Sequence, residues 1–154
     1  LNSIQIFGAS IFDVCFGLEL PDVPEIVWNV TKLNEAAGLG KFGSPVELRI
    51  DALPPLDLVT WKNLDRKKVR GIMANANQLV DYPDWHNPGS FVRMPLIATP
   101  ITTVVFQHND LLHAVIVDGN HRFTARTLLG FEHFRRFEVY PEVEHQYRIT
   151  LKRS

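Results

Sequence analysis

The run Asp118-Gly119-Asn120-His121-Arg122 brings a carboxylate, a glycine, an amide, an imidazole and a guanidinium together. The apolar stretch Val115-Ile116-Val117 precedes it and a helical pattern follows, so the run falls at a turn from strand to helix. The first amides of a helix have no partners within it and point into one small volume, which favours an anion. Gly119 lets a phosphate approach the backbone, and Arg122 offers a planar, permanently charged fork for phosphate oxygens. Asn120 and His121 add donors, and Arg126 stands one helical turn beyond Arg122. Gly119, Asn120, His121, Arg122 and Arg126 are therefore the expected phosphate-binding or nucleotide-binding residues. Asp118, His121 and Arg122 are the expected catalytic ones, with Asp118 (alone or through Mg2+) or His121 orienting water and Arg122 stabilising charge. Asp118 is also the expected ligand for Mg2+, with Glu132 and Glu138 behind it. The same spacing suits a plainer role equally well, in which Asp118 and Asn120 cap the helix, Arg122 is solvated and His121 packs.

A second group of residues bears on DNA. Lys62, Arg66, Lys67, Lys68 and Arg70 form a basic run, and Arg135 and Arg136 follow the turn. They are expected to border the turn as a local strip that contacts DNA phosphates and reads few bases. A solvated helix face explains the first run about as well. The chain carries 16 Lys and Arg against 17 Asp and Glu, so it has no broad attraction for phosphate polymers and any nucleic-acid site is local. Trp85, His86 and Phe91 could stack on a base, although covering a core edge is the commoner use of such residues.

Other chemistries are disfavoured. The six histidines lack the paired helical spacing of a zinc hydrolase. The single cysteine, Cys15, excludes an internal disulfide and fits a reducing compartment, so a cytoplasmic location is expected. No apolar run reaches the roughly 18 residues of a membrane span. The sequence begins at Leu1 rather than Met, which is expected to reflect a removed leader or tag.

The elements that must position the turn read as follows. Ile26, Val27, Val30, Leu33 and Ala37 are at helical spacing from Glu25, and Gly38 and Gly40 end that helix. Val46 to Ile50 alternates as a half-buried strand that Pro54-Pro55 closes. A clearer helix starts at the N-cap Asp65 and carries Val69, Ile72, Met73, Ala76, Leu79 and Val80 on one face. The segment from Asp81 to Pro100, with four prolines, reads as a long loop. Ile101 to Phe106 and Leu111 to Val117 read as a hairpin, the helix after Asn120 stops at Gly130, and Phe134 to Tyr140 is a last strand.

From Val115 to Phe131 the string Val-Ile-Val-Asp-Gly-Asn-His-Arg-Phe-Thr-Ala-Arg-Thr-Leu-Leu-Gly-Phe resembles the Gly-x-x-Arg box of the ParB/sulfiredoxin superfamily. There a strand, the box and a helix ending in Leu-Gly occur in that order. The resemblance extends upstream through the helix at Asp65 to the strand at Val46, and downstream to Tyr140. It implies a compact α/β (α+β) fold with a small mixed sheet flanked by helices over residues 46–154. Residues 1–45 are then an N-terminal extension packed on the core, in one globular unit. It also implies a phosphohydrolase, both ATPase and DNase, that takes ATP or CTP with Mg2+ and binds DNA.

Two departures narrow that expectation. Sulfiredoxins place a nucleophilic cysteine where this chain has Asn120, so sulfinic acid reductase chemistry is not expected. Chromosome-partition members add a helix-turn-helix domain, whereas this sequence ends at Ser154, so a free-standing, plasmid-borne type of member is expected. In that group the chain resembles fertility-inhibition factors that block conjugative or T-DNA transfer, which implies conjugation or secretion machinery as a partner. Two other classes stay open, a nucleotide-gated binding protein without fast turnover and an inhibitor that acts through its surface alone.

Overall fold

The computed structural model describes residues 4–20, 23–50 and 64–153. Strand β1 (Ile4–Phe7) pairs antiparallel with β10 (Thr150–Arg153), which brings the two ends of the described chain side by side. Strands β2 (Cys15–Leu20) and β3 (Val23–Asn29) form an antiparallel pair and lead into helix α1 (Val30–Gly38). The helix expected from Glu25 therefore starts later, and Ile26 and Val27 lie in β3. The cause is local. The run Ile26-Val27-Trp28 favours an extended backbone, and the Asn29 side chain accepts from the Lys32 amide at 3.0 Å, which fixes Asn29 as the cap.

Strand β4 (Val46–Arg49) forms as expected, and Pro54-Pro55 lies outside the described residues. Helix α2 (Arg66–Ala74) begins at Asp65, whose carboxylate accepts from the amides of Lys67 and Lys68 at 3.0 and 3.3 Å. It ends sooner than its apolar spacing suggests. Ala76 follows the helix, while Leu79 and Val80 belong to β5 (Leu79–Pro83), which pairs antiparallel with β6 (Phe91–Pro95). The expected long loop thus contains a hairpin. Its prolines Pro83 and Pro95 sit at strand ends, where a missing N–H interrupts no ladder.

The central sheet is four-stranded and mixed, in the order β4, β9 (His133–Val139), β7 (Ile101–His108), β8 (Leu111–Asp118). Strand β7 runs antiparallel to β8 and parallel to β9, and β9 runs antiparallel to β4. The β7–β8 turn is made by Asn109 and Asp110, both at positive φ (51° and 62°), the conformation that suits a two-residue hairpin. Helix α3 (Asn120–Leu128) connects β8 to β9.

Alternation along the strands sends apolar side chains to both faces. On one face Val104, Phe106, Val115, Val117 and Val139 pack with Leu18, Trp28, Val30 and Leu33, so residues before position 45 share the main core. On the other, Ile101, Ile116 and Phe134 pack against Phe123 of α3. Beyond them Ala125 meets Ile97 and Val69 of α2, which seats α2 on α3. Helix α4 (Pro141–Glu144) then presents the buried Glu144 to Trp28. The chain is thus a mixed α/β structure with several small sheets. Among the described residues no helix is long and apolar enough to cross a membrane.

Candidate functional site

Strand β8 ends at Asp118, and Gly119 caps α3 in the left-handed region at φ 98°. A Cβ there would lie 2.5 Å from Cγ2 of the buried Ile101 and 3.0 Å from Nη2 of Arg122. Both the dihedral and the close packing therefore require glycine. Arg122 folds back over the start of its own helix. Its Nη2 donates to the Pro100 carbonyl at 3.1 Å and lies 3.7 Å from Oδ2 of Asp118, while its buried Nε has no hydrogen-bond partner among the described residues.

Asp118 is held by residues distant in sequence. Its Oδ2 accepts from Nδ2 of Asn34 at 3.1 Å, and Oδ1 of Asn34 accepts from the Thr102 hydroxyl at 3.0 Å. The Tyr82 hydroxyl reaches the Pro100 carbonyl at 3.5 Å. Burial raises the Tyr82 pKa above its ordinary value, with the Arg122 charge opposing and the Asp118 charge adding. Asn34, Tyr82 and Thr102 come from α1, β5 and β7, so no spacing pattern connects them to Asp118 before the fold does.

The side chains of Asn120 and His121 are engaged as well. Asn120 turns its amide towards the preceding strand and donates to the Ile116 carbonyl at 3.1 Å. His121 accepts the Asp65 amide at Nε2, over 3.1 Å, which leaves its proton on Nδ1 and gives it no free lone pair. Burial lowers the His121 pKa, Lys68 adds to the effect and Asp65 opposes it.

The arginines downstream have a shared feature. Arg126 donates through Nη1 to the Ile97 carbonyl at 3.1 Å and through Nε to that of His133, and Arg135 donates to the Ala98 carbonyl at 3.3 Å. With Arg122 on Pro100, three guanidinium groups grip the segment that leads into β7. Burial lowers the Arg126 pKa, the neighbouring Arg135 lowers it further and Glu47 opposes. Arg122, Arg126 and Arg135 also line one cavity of about 120 Å3.

The remaining expected residues divide. Arg66, Lys67, Lys68 and Arg70 are exposed on α2, next to α3, and Lys62 lies outside the described residues. Arg136 does not join a surface strip, because it is 9% exposed and pairs with Glu138. Glu138 is engaged by Arg136 and by the Tyr140 hydroxyl rather than grouped with Asp118. Among the described residues no cluster of three or more His, Cys, Asp or Glu forms a metal cage. Trp85 packs edge-on against Phe137 and donates to His86 at 2.9 Å, whereas Phe91 is exposed. Cys15 is exposed, and its thiol pKa is raised by burial and by Asp13, the opposite of an activated thiolate.

The chain matches no protein-family model, no curated protein and no solved structure.

Proposed function

We propose that this chain is a ParB/sulfiredoxin-like domain that binds the phosphates of ATP or CTP, and of DNA, at the start of α3 and hydrolyses them. The observation that carries this reading is Arg122 folded back over a left-handed Gly119, which sets a guanidinium beside the unpaired first amides of the helix. In this reading the amides and Arg122 hold a phosphate and stabilise the charge that develops on its oxygens. Asp118, whose Oδ2 is held by Asn34, would offer its other carboxylate oxygen to water or to Mg2+. One carboxylate is a sufficient protein contribution for Mg2+ when phosphates supply further oxygens, and the ion would lower the pKa of a bound water. The exposed basic residues of α2 lead DNA to the same place. Interference with DNA transfer at a conjugation or secretion apparatus is the biological role that this reading implies.

The test compares phosphate release from ATP, CTP and linear DNA, with and without Mg2+, in the native chain and in Arg122→Ala. Loss of a charge-assisted bond should weaken nucleotide binding about tenfold or more. Unchanged affinity in a folded Arg122→Ala protein would overturn the reading.

The engaged nitrogen of His121 favours a second reading, in which the pocket holds a nucleotide and switches a protein or DNA contact without fast turnover. Tight binding without phosphate release would select it.

A further inference from the structure

Beside α3 the chain forms a cavity of about 120 Å3 whose wall includes Arg122, Phe123 and Arg126 of α3, Phe134 and Arg135 of β9, and Glu47 of β4. The hydrogen bonds of the three arginines run to backbone carbonyls, which are neutral. Each guanidinium has five N–H groups, so these bonds engage only a minority of the donors. Among the described residues, three positive charges therefore line the cavity against the one carboxylate of Glu47, with Asp118 drawing on Arg122 from outside. Like charges held close together and partly away from water repel one another, and a bound anion relieves that repulsion.

Size and shape narrow the anion. A dry cavity of roughly 150 Å3 accommodates a ring the size of benzene, so this one takes a group of a few heavy atoms and excludes a nucleoside. Ile97, Ile101 and Phe134 of the lining are buried and Glu47 is exposed, so the cavity runs from the core to the surface on the side of Glu47. An internal phosphodiester leaves its site in two directions and needs an open groove. A terminal phosphoryl group leaves in one.

We infer that this cavity seats the terminal phosphoryl group of a phosphomonoester, with the rest of the ligand outside past Glu47. The inference deepens the phosphate-binding reading by naming the group bound, and it rests on that reading only through Arg122. A nucleoside monophosphate and the 5′-phosphate end of a DNA strand share this chemistry.

The experiment measures binding of inorganic phosphate, AMP and one oligodeoxynucleotide with and without a 5′-phosphate to the full chain. Variants Glu47→Gln and Arg135→Gln are measured beside it. The phosphorylated strand should bind at least about tenfold tighter than the unphosphorylated one. Arg135→Gln should reduce that ratio and Glu47→Gln should increase it, because an opposing charge has been removed. The increase is informative, since a gain in affinity cannot come from misfolding. Displacement of the phosphorylated strand by AMP identifies free nucleotides as ligands too, and failure of AMP to displace it identifies the DNA end. Equal binding of the two strands, or a ratio that both variants leave unchanged, overturns the inference. Loss of this preference beside intact hydrolysis of ATP overturns the cavity assignment alone. A preserved preference in a native chain that releases no phosphate from ATP, CTP or DNA overturns the hydrolase reading alone.

Discussion

The backbone amide of Asp65 donates to Nε2 of His121 over 3.1 Å and ties the first turn of α2 to the first turn of α3. Only a neutral imidazole can accept that bond. Burial, with Lys68 beside it, holds the His121 pKa below its ordinary 6.5. The unfolded chain therefore takes up a proton at higher pH than the folded chain does. The stability contributed by this group is full above about pH 6.5 and is lost as pH falls through the lower, folded value. His121→Gln keeps an acceptor but cannot titrate. The urea midpoint should drop between about pH 7.5 and about pH 5.5 more steeply in the native chain than in His121→Gln. Equal acid sensitivity of the two proteins would assign the effect to other groups.

Gly119→Ala should be severely destabilising for two separable reasons. A left-handed backbone costs an L residue about 1–2 kcal/mol, and crowding against a packed core costs roughly 1–3 kcal/mol more. The crowding partner is Cγ2 of Ile101, 2.5 Å from the added Cβ. Ile101→Ala removes that atom. In a double-mutant cycle by chemical denaturation, the two substitutions should therefore cost less together than the sum of each alone. Strict additivity would leave the dihedral as the whole explanation.

The frame of the candidate site was legible because Asp118 to Arg122 are contiguous. The apolar run before Asp118 and the helical pattern after Asn120 identified the strand, the turn and the helix, and the exposed basic face of α2 followed from the same kind of spacing. Elements went wrong where two periodicities overlap. Leu79 and Val80 fall at helical positions relative to Met73 and Ala76, yet Asn75 ends α2 and the pair enters a strand. Ile26 and Val27 extend the pattern of α1 backwards, while Asn29 sets the real boundary. Side-chain partners were least legible. Nothing local marks Asn34 as the residue that holds Asp118, since the two are brought together only when α1 covers the sheet.

Glu144 anchors the end of the chain to the main core. Its carboxylate accepts from Trp28 Nε1 at 2.7 Å and pairs with Arg148, while Glu144 itself is 3% exposed. Arg148 forms an antiparallel bridge with Trp28, and the Ile149 amide donates to the Val27 carbonyl at 2.8 Å. Breaking a buried ion pair at one partner costs about 3–5 kcal/mol, and the lower end is expected here because Arg148 keeps access to water. Glu144→Ala should lower the unfolding free energy by about 3 kcal/mol, and Glu144→Gln, which keeps an acceptor for Trp28, by less. Identical losses in the two variants would locate the contribution in the charge alone.

The exposed residues Lys67 and Lys68 separate DNA from free nucleotide as ligands. They stand in the first turn of α2, α2 packs on α3, and Lys68 is close enough to His121 to act on its charge, so this turn lies near the proposed phosphate site. Reversal of both to Glu should not endanger the helix, because acidic residues in a first turn interact favourably with the helix dipole. DNA binding should lose affinity, and its dependence on salt should become shallower, since each phosphate contact releases counterions and contributes a slope of about −0.9. In the proposed reading free ATP or CTP would need only the phosphate site, so its hydrolysis should change much less than DNA cleavage. The comparison uses one purification scheme, with Asp118→Ala as the control for contaminating nuclease. DNA cleavage that persists in Asp118→Ala and ignores the charge reversal would remove DNA from the substrates and leave the nucleotide as the ligand.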